Sequence, residues 1–336
     1  DYIMEEKRIV VTGGAGYCGT RLIPILLKLY SEVVVLDTFW FGNYLPKDHP
    51  GLTLIEGDIR DIESLRRAFK GSDAVVNLAC ISNDASFELN EELSTSVNLR
   101  AFEPMVIAAK EAGVKRFIYA SSSSVYGISD APNVTEDHPL VPLTLYNKYK
   151  GMCEPLLQKH TSDDFTGVIF RPATICGFSP RQRLDLSVNI LTNLAINNRR
   201  ITVFGGSQMR PNLHIQDYCD VILLLLRAEK KLINNQIFNV GFENLTISEI
   251  ALKVKKVVEA VFPGDKIPIE ISHSDDNRSY HINSDKIKSV LNFHPRFTVE
   301  DAIRELCSAF ENNLLPNSTI DDKYFNVKRL KKIQAI

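Results

Sequence analysis

Tyr146 and Lys150 stand four residues apart in the run Tyr-Asn-Lys-Tyr-Lys, so on a helix they share one face, one turn apart. An ammonium group beside a phenol stabilises the phenolate and draws its pKa from ~10 toward neutrality. Such a tyrosinate can take a proton from a hydroxyl while hydride leaves the same carbon. Ser122, in the run Ser121-Ser122-Ser123-Ser124-Val125-Tyr126-Gly127, is placed to hydrogen-bond the reacting oxygen. Tyr-x-x-x-Lys also recurs by chance, and Lys148 and Tyr149 occupy the same stretch. A solvated helix face is therefore the competing reading of the spacing alone.

Hydride chemistry needs an acceptor, and the other end of the chain offers a seat for one. Thr12-Gly13-Gly14-Ala15-Gly16-Tyr17-Cys18-Gly19 follows a strand-like run and opens a helix-like one. Gly13 permits the tight turn, Gly16 lets backbone approach a pyrophosphate, and Gly19 lets helix and strand pack closely. The helix start then presents free N–H groups and a positive dipole end to phosphate. Asp37 ends the second strand-like run, where a carboxylate accepts from a ribose 2′-hydroxyl and repels a 2′-phosphate. The cofactor expected is NAD rather than NADP. Asp58, before Ile59, ends the third run and either reaches an adenine amino group or caps the helix from Ile62.

These residues need a scaffold that brings them to one edge. Arg8–Thr12, Glu32–Asp37, Leu52–Glu56, Ala74–Ala79, Arg116–Ala120 and Gly167–Phe170 are near-continuous apolar runs, as in strands buried on both faces. Helical patterns lie between them at Gly16–Tyr30, Ile62–Phe69, Glu91–Ala112 and Tyr146–His160. The alternation predicts an α/β fold with a Rossmann-type, doubly wound parallel sheet. After Pro172 the rhythm changes. Helices are expected around Leu186–Asn197, Tyr218–Arg227 and Ser248–Phe262, with strands at Ile201–Phe204 and Gln236–Val240. Ile267–Ile271, Ser284–Leu291 and Val299–Asn312 complete a smaller α/β lobe. The expected division is a dinucleotide domain over 1–175 and 212–243, a substrate lobe over 176–211 and 244–315, and a tail over 316–336.

Composition narrows the partners. The chain has 336 residues, 39 basic against 41 acidic, a formal charge of −2. That balance gives no electrostatic reason to expect a nucleic-acid partner. The basic run Lys328–Arg329 with Lys331–Lys332 reads as a solvated helix end. Six scattered cysteines without a CxxC pair argue against a disulfide framework and a zinc site, so no metal is expected. No apolar run approaches the ~18 residues needed to span a bilayer, and the charged stretch Asp1–Arg8 is unlike a signal sequence. No membrane association and a cytoplasmic setting are the expectations.

With these motifs in place, the sequence resembles the extended short-chain dehydrogenase/reductase family, in particular its NAD-dependent nucleotide-sugar epimerases and dehydratases. The resemblance runs from about Lys7 to Asn312. It rests on TGGAGYCG at 12–19, Asp37, Asp58-Ile59, Asn77-Leu78-Ala79, Asn98, SSSSVYG, YNKYK, RPATICG at 171–177, Asn189 and Arg210-Pro211-Asn212-Leu213-His214-Ile215-Gln216-Asp217. It implies Tyr146 as base, Lys150 tuning it and holding the nicotinamide ribose, and Ser122 as the third catalytic residue. Tyr17, Cys18, Ile59, Leu78, Ala79, Asn98 and Pro172 join the glycines and both aspartates as implied cofactor contacts. The implied substrate is a nucleoside-diphosphate sugar, touched by Ser123, Ser124, Thr174, Asn189, Arg210 and Arg278. An interlobe ion pair is the alternative for each arginine. Arg181, Arg183 and Asp185 lie in a loop that either covers the sugar or forms surface structure.

Departures from the pattern bear on the reaction. Dehydratases of this family carry an Asp-Glu pair directly after the serine, where this chain has Ser123 and Ser124. Enzymes that epimerise beside a ketone use a Cys/His pair that neither Ser123–Val125 nor Phe178–Asp185 supplies. Core packing is the expected role of Cys18 and Cys80. A nucleotide-sugar 4-epimerase is the leading expectation, with a 4-dehydrogenase or ketoreductase and a non-catalytic NAD-sensing scaffold as rivals. The resemblance further implies a homodimer built on Glu91–Ala112 and Tyr146–His160.

Overall fold

Val10, Val34 and Val75 are buried on one side of a sheet while their neighbours Val11, Val35 and Val76 are buried on the other, so these runs show no polar alternation. The computed structural model describes residues 4–276 and 278–333. In chain order the first strands are β1 (Glu5–Thr12), β2 (Tyr30–Asp37), β3 (Leu52–Glu56), β4 (Ala74–Asn77), β5 (Arg116–Ala120) and β6 (Thr166–Pro172). They are followed by β7 (Thr174–Cys176), β8 (Ile201–Phe204), β9 (Met209–His214), β10 (Gln236–Val240), β11 (Glu243–Thr246) and β12 (Ile269–Ser272).

The helices of the first half are α1 (Tyr17–Leu29), α2 (Ile62–Phe69), α3 (Asp84–Glu88), α4 (Glu91–Thr95), α5 (Phe102–Glu111) and α6 (Leu145–Gln158). The second half adds α7 (Ser187–Asn198), α8 (Ile215–Arg227), α9 (Lys230–Ile233), α10 (Ile247–Val261), α11 (Asp285–Leu291), α12 (Val299–Glu311) and α13 (Asn326–Lys332).

Seven parallel strands form the main sheet in the order β10-β6-β5-β4-β1-β2-β3. The order reverses between β1 and β4, which opens a crevice at the strands' carboxyl ends. Thr12 donates to Asn77 across it (2.7 Å). One core layer packs α1 and α8 on the sheet through Leu22, Leu26, Ile222 and Leu225. The other packs α2, α5 and α6 through Phe69, Met105 and Leu157. A separate core gathers α7, α10 and α12 over β8 through Val188, Ile250, Val254 and Ile303. Ile282, Ile287 and Phe293, which the sequence places in the smaller lobe, instead pack into the large sheet's core beside β10.

The helical pattern at Glu91–Ala112 is not one uniform helix. A π turn at Ser96–Arg100 separates α4 from α5. The helix expected from Ser248 is capped one residue earlier than its pattern suggests: Thr246 accepts from the Glu249 N–H (3.1 Å). Asp61, not Asp58, caps α2 by accepting from the Ser64 N–H (3.2 Å). A short three-stranded sheet, β11-β9-β7, joins the two cores and was not evident from periodicity.

A charged cluster ties the two cores. Arg21 of α1 donates to Glu305 of α12 (2.8 Å) and to the Phe178 carbonyl (2.7 Å), while His214 lies 3.5 Å from the same carboxylate. Burial alone would raise the Glu305 carboxyl, but hydrogen bonds from His214 and Arg21, with the charge of Arg21, bring it down to about 2. A carboxyl depressed in the folded state stabilises the fold above its unfolded pKa near ~4.5, and that contribution is lost as pH falls toward 2. For this partly exposed group we expect roughly 2 kcal/mol at pH 7. Urea unfolding of Glu305→Gln beside the parent should show that gap at pH 7 and a narrowing gap below pH 4.5. A gap unchanged at pH 3 contradicts the assignment.

Candidate active site

The glycine turn after β1 is shaped by contacts no side chain would permit. A Cβ on Gly13, whose φ is +75°, would fall 2.6 Å from the Ala79 backbone nitrogen. One on Gly19 would fall 2.2 Å from the Gly14 carbonyl oxygen. Gly16 begins α1 with no side-chain cap and no acidic residue follows in the first turn, which leaves amide N–H groups free for an anion. Asp37 accepts from the Ala15 N–H (3.0 Å) and the Phe39 N–H (2.9 Å), so its carboxylate is locked at the lip of the turn. Burial raises the Asp37 pKa, and those backbone donors oppose the rise. These features fit a dinucleotide: an open anion seat at a helix start and a fixed acceptor one ribose away.

A cavity of about 390 Å³ runs from Asp37 and Asp58 past the glycine turn to Ser122, Tyr146 and Lys150. Tyr146, Lys150 and Glu154 are spaced by four on α6 and share one face. Glu154 anchors that face. It forms a two-point ion pair with Arg171 of β6 (2.6 and 3.0 Å) and accepts from Ser121 (2.7 Å), with both charged side chains only 3% exposed. Arg171 donates onward to the Tyr126 hydroxyl (2.7 Å), which donates to Asn239 of β10 (2.6 Å). Ser122 and Ser124 exchange a hydrogen bond (2.7 Å), and Ser124 donates to Asn147.

Lys150 and the Tyr146 phenol have separate surroundings in the ligand-free protein. Lys150 donates its ammonium to the Ala120 carbonyl (2.8 Å) and lies 5.5 Å from the Tyr119 ring centre. Burial pushes the Tyr146 phenol well above its usual value; Cys80 and Asp84 add to the rise, while the Asn83 N–H and the Arg183 charge oppose it. The phenol of the protein as it stands is therefore neutral at physiological pH, because desolvation outweighs any nearby cation.

Gly13, Gly16, Tyr17, Cys18, Gly19, Asp37, Asp58, Ile59, Leu78, Ala79, Ser123, Ser124, Pro172, Thr174 and Arg210 all line the cavity, together with the three catalytic candidates. Asp58 pairs with Arg60 (2.6 Å) rather than capping a helix. Three expected contacts do not line it. Asn98 accepts from the Ile81 N–H (2.8 Å) and donates to the Ile81 carbonyl (3.0 Å), so both ends of its amide hold a loop. It sits in the π turn, and its neighbour Val97 faces the cavity instead. Asn189 accepts from Gly177 (3.1 Å) and donates to the Tyr17 hydroxyl (3.1 Å) and Arg183 carbonyl (3.0 Å), which uses its whole amide. Arg278 is held by Asp276 (2.8 Å) and by Asp84, the interlobe ion pair that its charge also allowed.

Several wall residues were not found from the sequence: Trp40 and Phe41 after β2, Cys80–Asn83 after β4, Tyr218, Tyr280, and Asn326 and Leu330 from α13. Arg181 and Arg183, left open between cover and surface, are buried in the wall.

The parallel sheet, the glycine turn at its switch point and the Tyr–Lys–Ser group define a dinucleotide-binding α/β enzyme of the dehydrogenase/reductase kind. The family model described as "NAD dependent epimerase/dehydratase family" matches residues 9–241, and the chain belongs to that family. It is 27% identical to a UDP-glucose 4-epimerase of Lactobacillus helveticus over 88% of this chain and 94% of that one. It is 25% identical to a dTDP-glucose 4,6-dehydratase of an Actinoplanes species, over 91% and 98%. The fold matches that of MoeE5 in complex with UDP-glucuronic acid and NAD, with a TM-score of 0.78, 24% identity and coverage of 91% and 99%. Among the described residues no helix is long and apolar enough to cross a membrane.

Two outcomes follow from the site. Glu154→Ala strands the buried Arg171 guanidinium and should lower unfolding free energy by about 3–5 kcal/mol; a loss under about 1 kcal/mol in denaturant titration contradicts the anchoring role. In cofactor-free protein, the 295 nm difference titration of the parent against Tyr146→Phe should show no phenol ionising below pH 10. A transition assigned to Tyr146 near pH 7 contradicts the desolvated environment.

Proposed function

We propose that this enzyme is an NAD-dependent 4-epimerase of a nucleoside-diphosphate sugar. When bound, NAD supplies an acceptor that takes hydride from a sugar carbon and returns it. Once a positively charged nicotinamide lies beside it, Tyr146 would ionise and, as the phenolate, take the proton of that hydroxyl as hydride leaves and return it when hydride comes back; Ser122 hydrogen-bonds the same oxygen, and Lys150 is fixed by Ala120 in the same wall. Arg210, over the Tyr280 ring (5.2 Å), takes the sugar's diphosphate; a planar guanidinium suits paired phosphate oxygens. Thr174, Ser123 and Ser124 line the sugar's place. A homodimer along α5 and α6 is part of the same proposal.

One observation favours epimerisation over water loss. Among the described residues the only carboxylates lining the cavity are Asp37 and Asp58, both at the strand ends of β2 and β3, away from Tyr146. Elimination of water needs an acid and a base at adjacent carbons, and the wall around Tyr146 offers serine hydroxyls instead. Similarity to both epimerases and dehydratases leaves this chemistry to decide between them.

The test is NMR of UDP- and dTDP-hexoses incubated with the purified enzyme. A C4 epimer should accumulate with no net absorbance change at 340 nm, and Tyr146→Phe should reduce kcat by roughly 10²–10⁴-fold. Stoichiometric NADH would make it a dehydrogenase, and a 4-keto-6-deoxy product a dehydratase. Either result, or a Tyr146→Phe enzyme within tenfold of the parent, contradicts the proposal.

A further inference from the structure

Two arginines in the cavity wall carry donors that have no partner among the described residues. Arg181 is 3% exposed and Arg183 is 8% exposed. Arg181 lies on the Phe41 ring (4.1 Å) and donates Nη2 to Asn326 (2.9 Å). Arg183 donates Nε to Asp185 (2.8 Å). Arg181 Nε and Arg183 Nη2 remain buried without a hydrogen-bond partner among the described residues. A buried donor without an acceptor is destabilising, more so when it is charged. Asp185 is bonded by Arg183 while Arg181 is bonded by the neutral Asn326, and burial with the like charge of Arg183 brings Arg181 down to about 9. An anion would satisfy both.

The surroundings say which anion. The Arg181 N–H donates to Thr20 in the first turn of α1 (3.1 Å), and the Arg183 carbonyl accepts from Asn189 (3.0 Å), whose amide also donates to the Tyr17 hydroxyl beside the glycine turn (3.1 Å). The pair thus lies along the stretch where the glycine turn seats a dinucleotide's diphosphate.

The C-terminal segment holds this pair in place. The Tyr324 carbonyl accepts from the Leu184 N–H (2.9 Å), the Asn326 N–H donates to Asp185 (3.0 Å), and Asn326 Oδ1 receives Arg181. Arg329 donates to the Trp40 carbonyl (2.8 Å), reaching the loop after β2. Asn326 and Leu330 complete the cavity wall. Tyr324 packs with Leu184, Leu306 and Leu315 in a small core of its own.

We propose that Arg181 and Arg183 form a second anion seat for the diphosphate of NAD, and that residues 321–333 are a clasp that keeps this seat formed and slows release of the cofactor. The inference rests on the NAD-dependent family and is independent of which sugar carbon reacts. An enzyme that must return hydride to an oxidised sugar gains from a cofactor that stays.

Binding measurements on cofactor-stripped protein test this without turnover. Competition against NADH fluorescence gives the affinities of ADP and adenosine, which differ by the diphosphate. Arg183→Gln and Arg181→Gln should each weaken ADP roughly tenfold or more while changing adenosine less than about twofold. Asn326→Ala and removal of residues 321–336 should each raise the NADH release rate, the removal by roughly tenfold or more. Should the shortened chain fail to fold by circular dichroism, Asn326→Ala and Arg329→Ala carry this arm. Equal losses for ADP and adenosine, a loss confined to UDP-hexose binding, or release rates within twofold of the parent in both point variants overturns the proposal.

Discussion

A salt bridge closed off from water, Glu154 with Arg171, sets the geometry of everything that acts. It pins α6 to β6 at the carboxyl edge of the sheet. Because Tyr146 and Lys150 stand two turns and one turn before Glu154 on the same helix face, the pin fixes where phenol and ammonium emerge. Ser121 bonds the same carboxylate, so the serine stretch after β5 is referenced to the same point. Removing water from this network strengthens each bond, and leaves no slack if one partner is lost.

At the other end of the cavity, backbone rather than side chains does the positioning. Gly13 and Gly19 allow contacts of a closeness that only hydrogen atoms fit, and Asp37 is clamped by two N–H groups. Between the two ends lie Arg181 and Arg183, supplied by a loop from outside the main sheet and braced by the C-terminal helix. The cavity is therefore assembled from three parts of the chain far apart in sequence.

The sheet and its acting residues were legible because their signals are local. Unbroken runs such as Val33–Leu36 fit strands buried on both faces, and a glycine turn between such a run and a helix fits a dinucleotide's diphosphate. What escaped depends on distance or on register. Arg181 meets Asn326 across 145 residues, and no spacing rule joins them. Asn98 lay in the right segment, yet the π turn adds a residue to the helical register and gives the cavity Val97 in its place. Asn189 and Arg278 have the chemistry to bind phosphate, but neighbours use it first: the Gly177 amide and Tyr17 for one, Asp84 and Asp276 for the other. β7 has three residues and β9 contains Pro211, too short and too irregular for a periodic signal. How far burial raises the Tyr146 phenol cannot be counted from a helix's spacing.

In the proposed reaction hydride leaves and rejoins one carbon beside Tyr146. A nucleotide hexose carrying deuterium at C4 reports this directly. If the account holds, NMR will find the label retained at C4 of the inverted sugar. Deuterium at C6, or in free reduced cofactor, would contradict it.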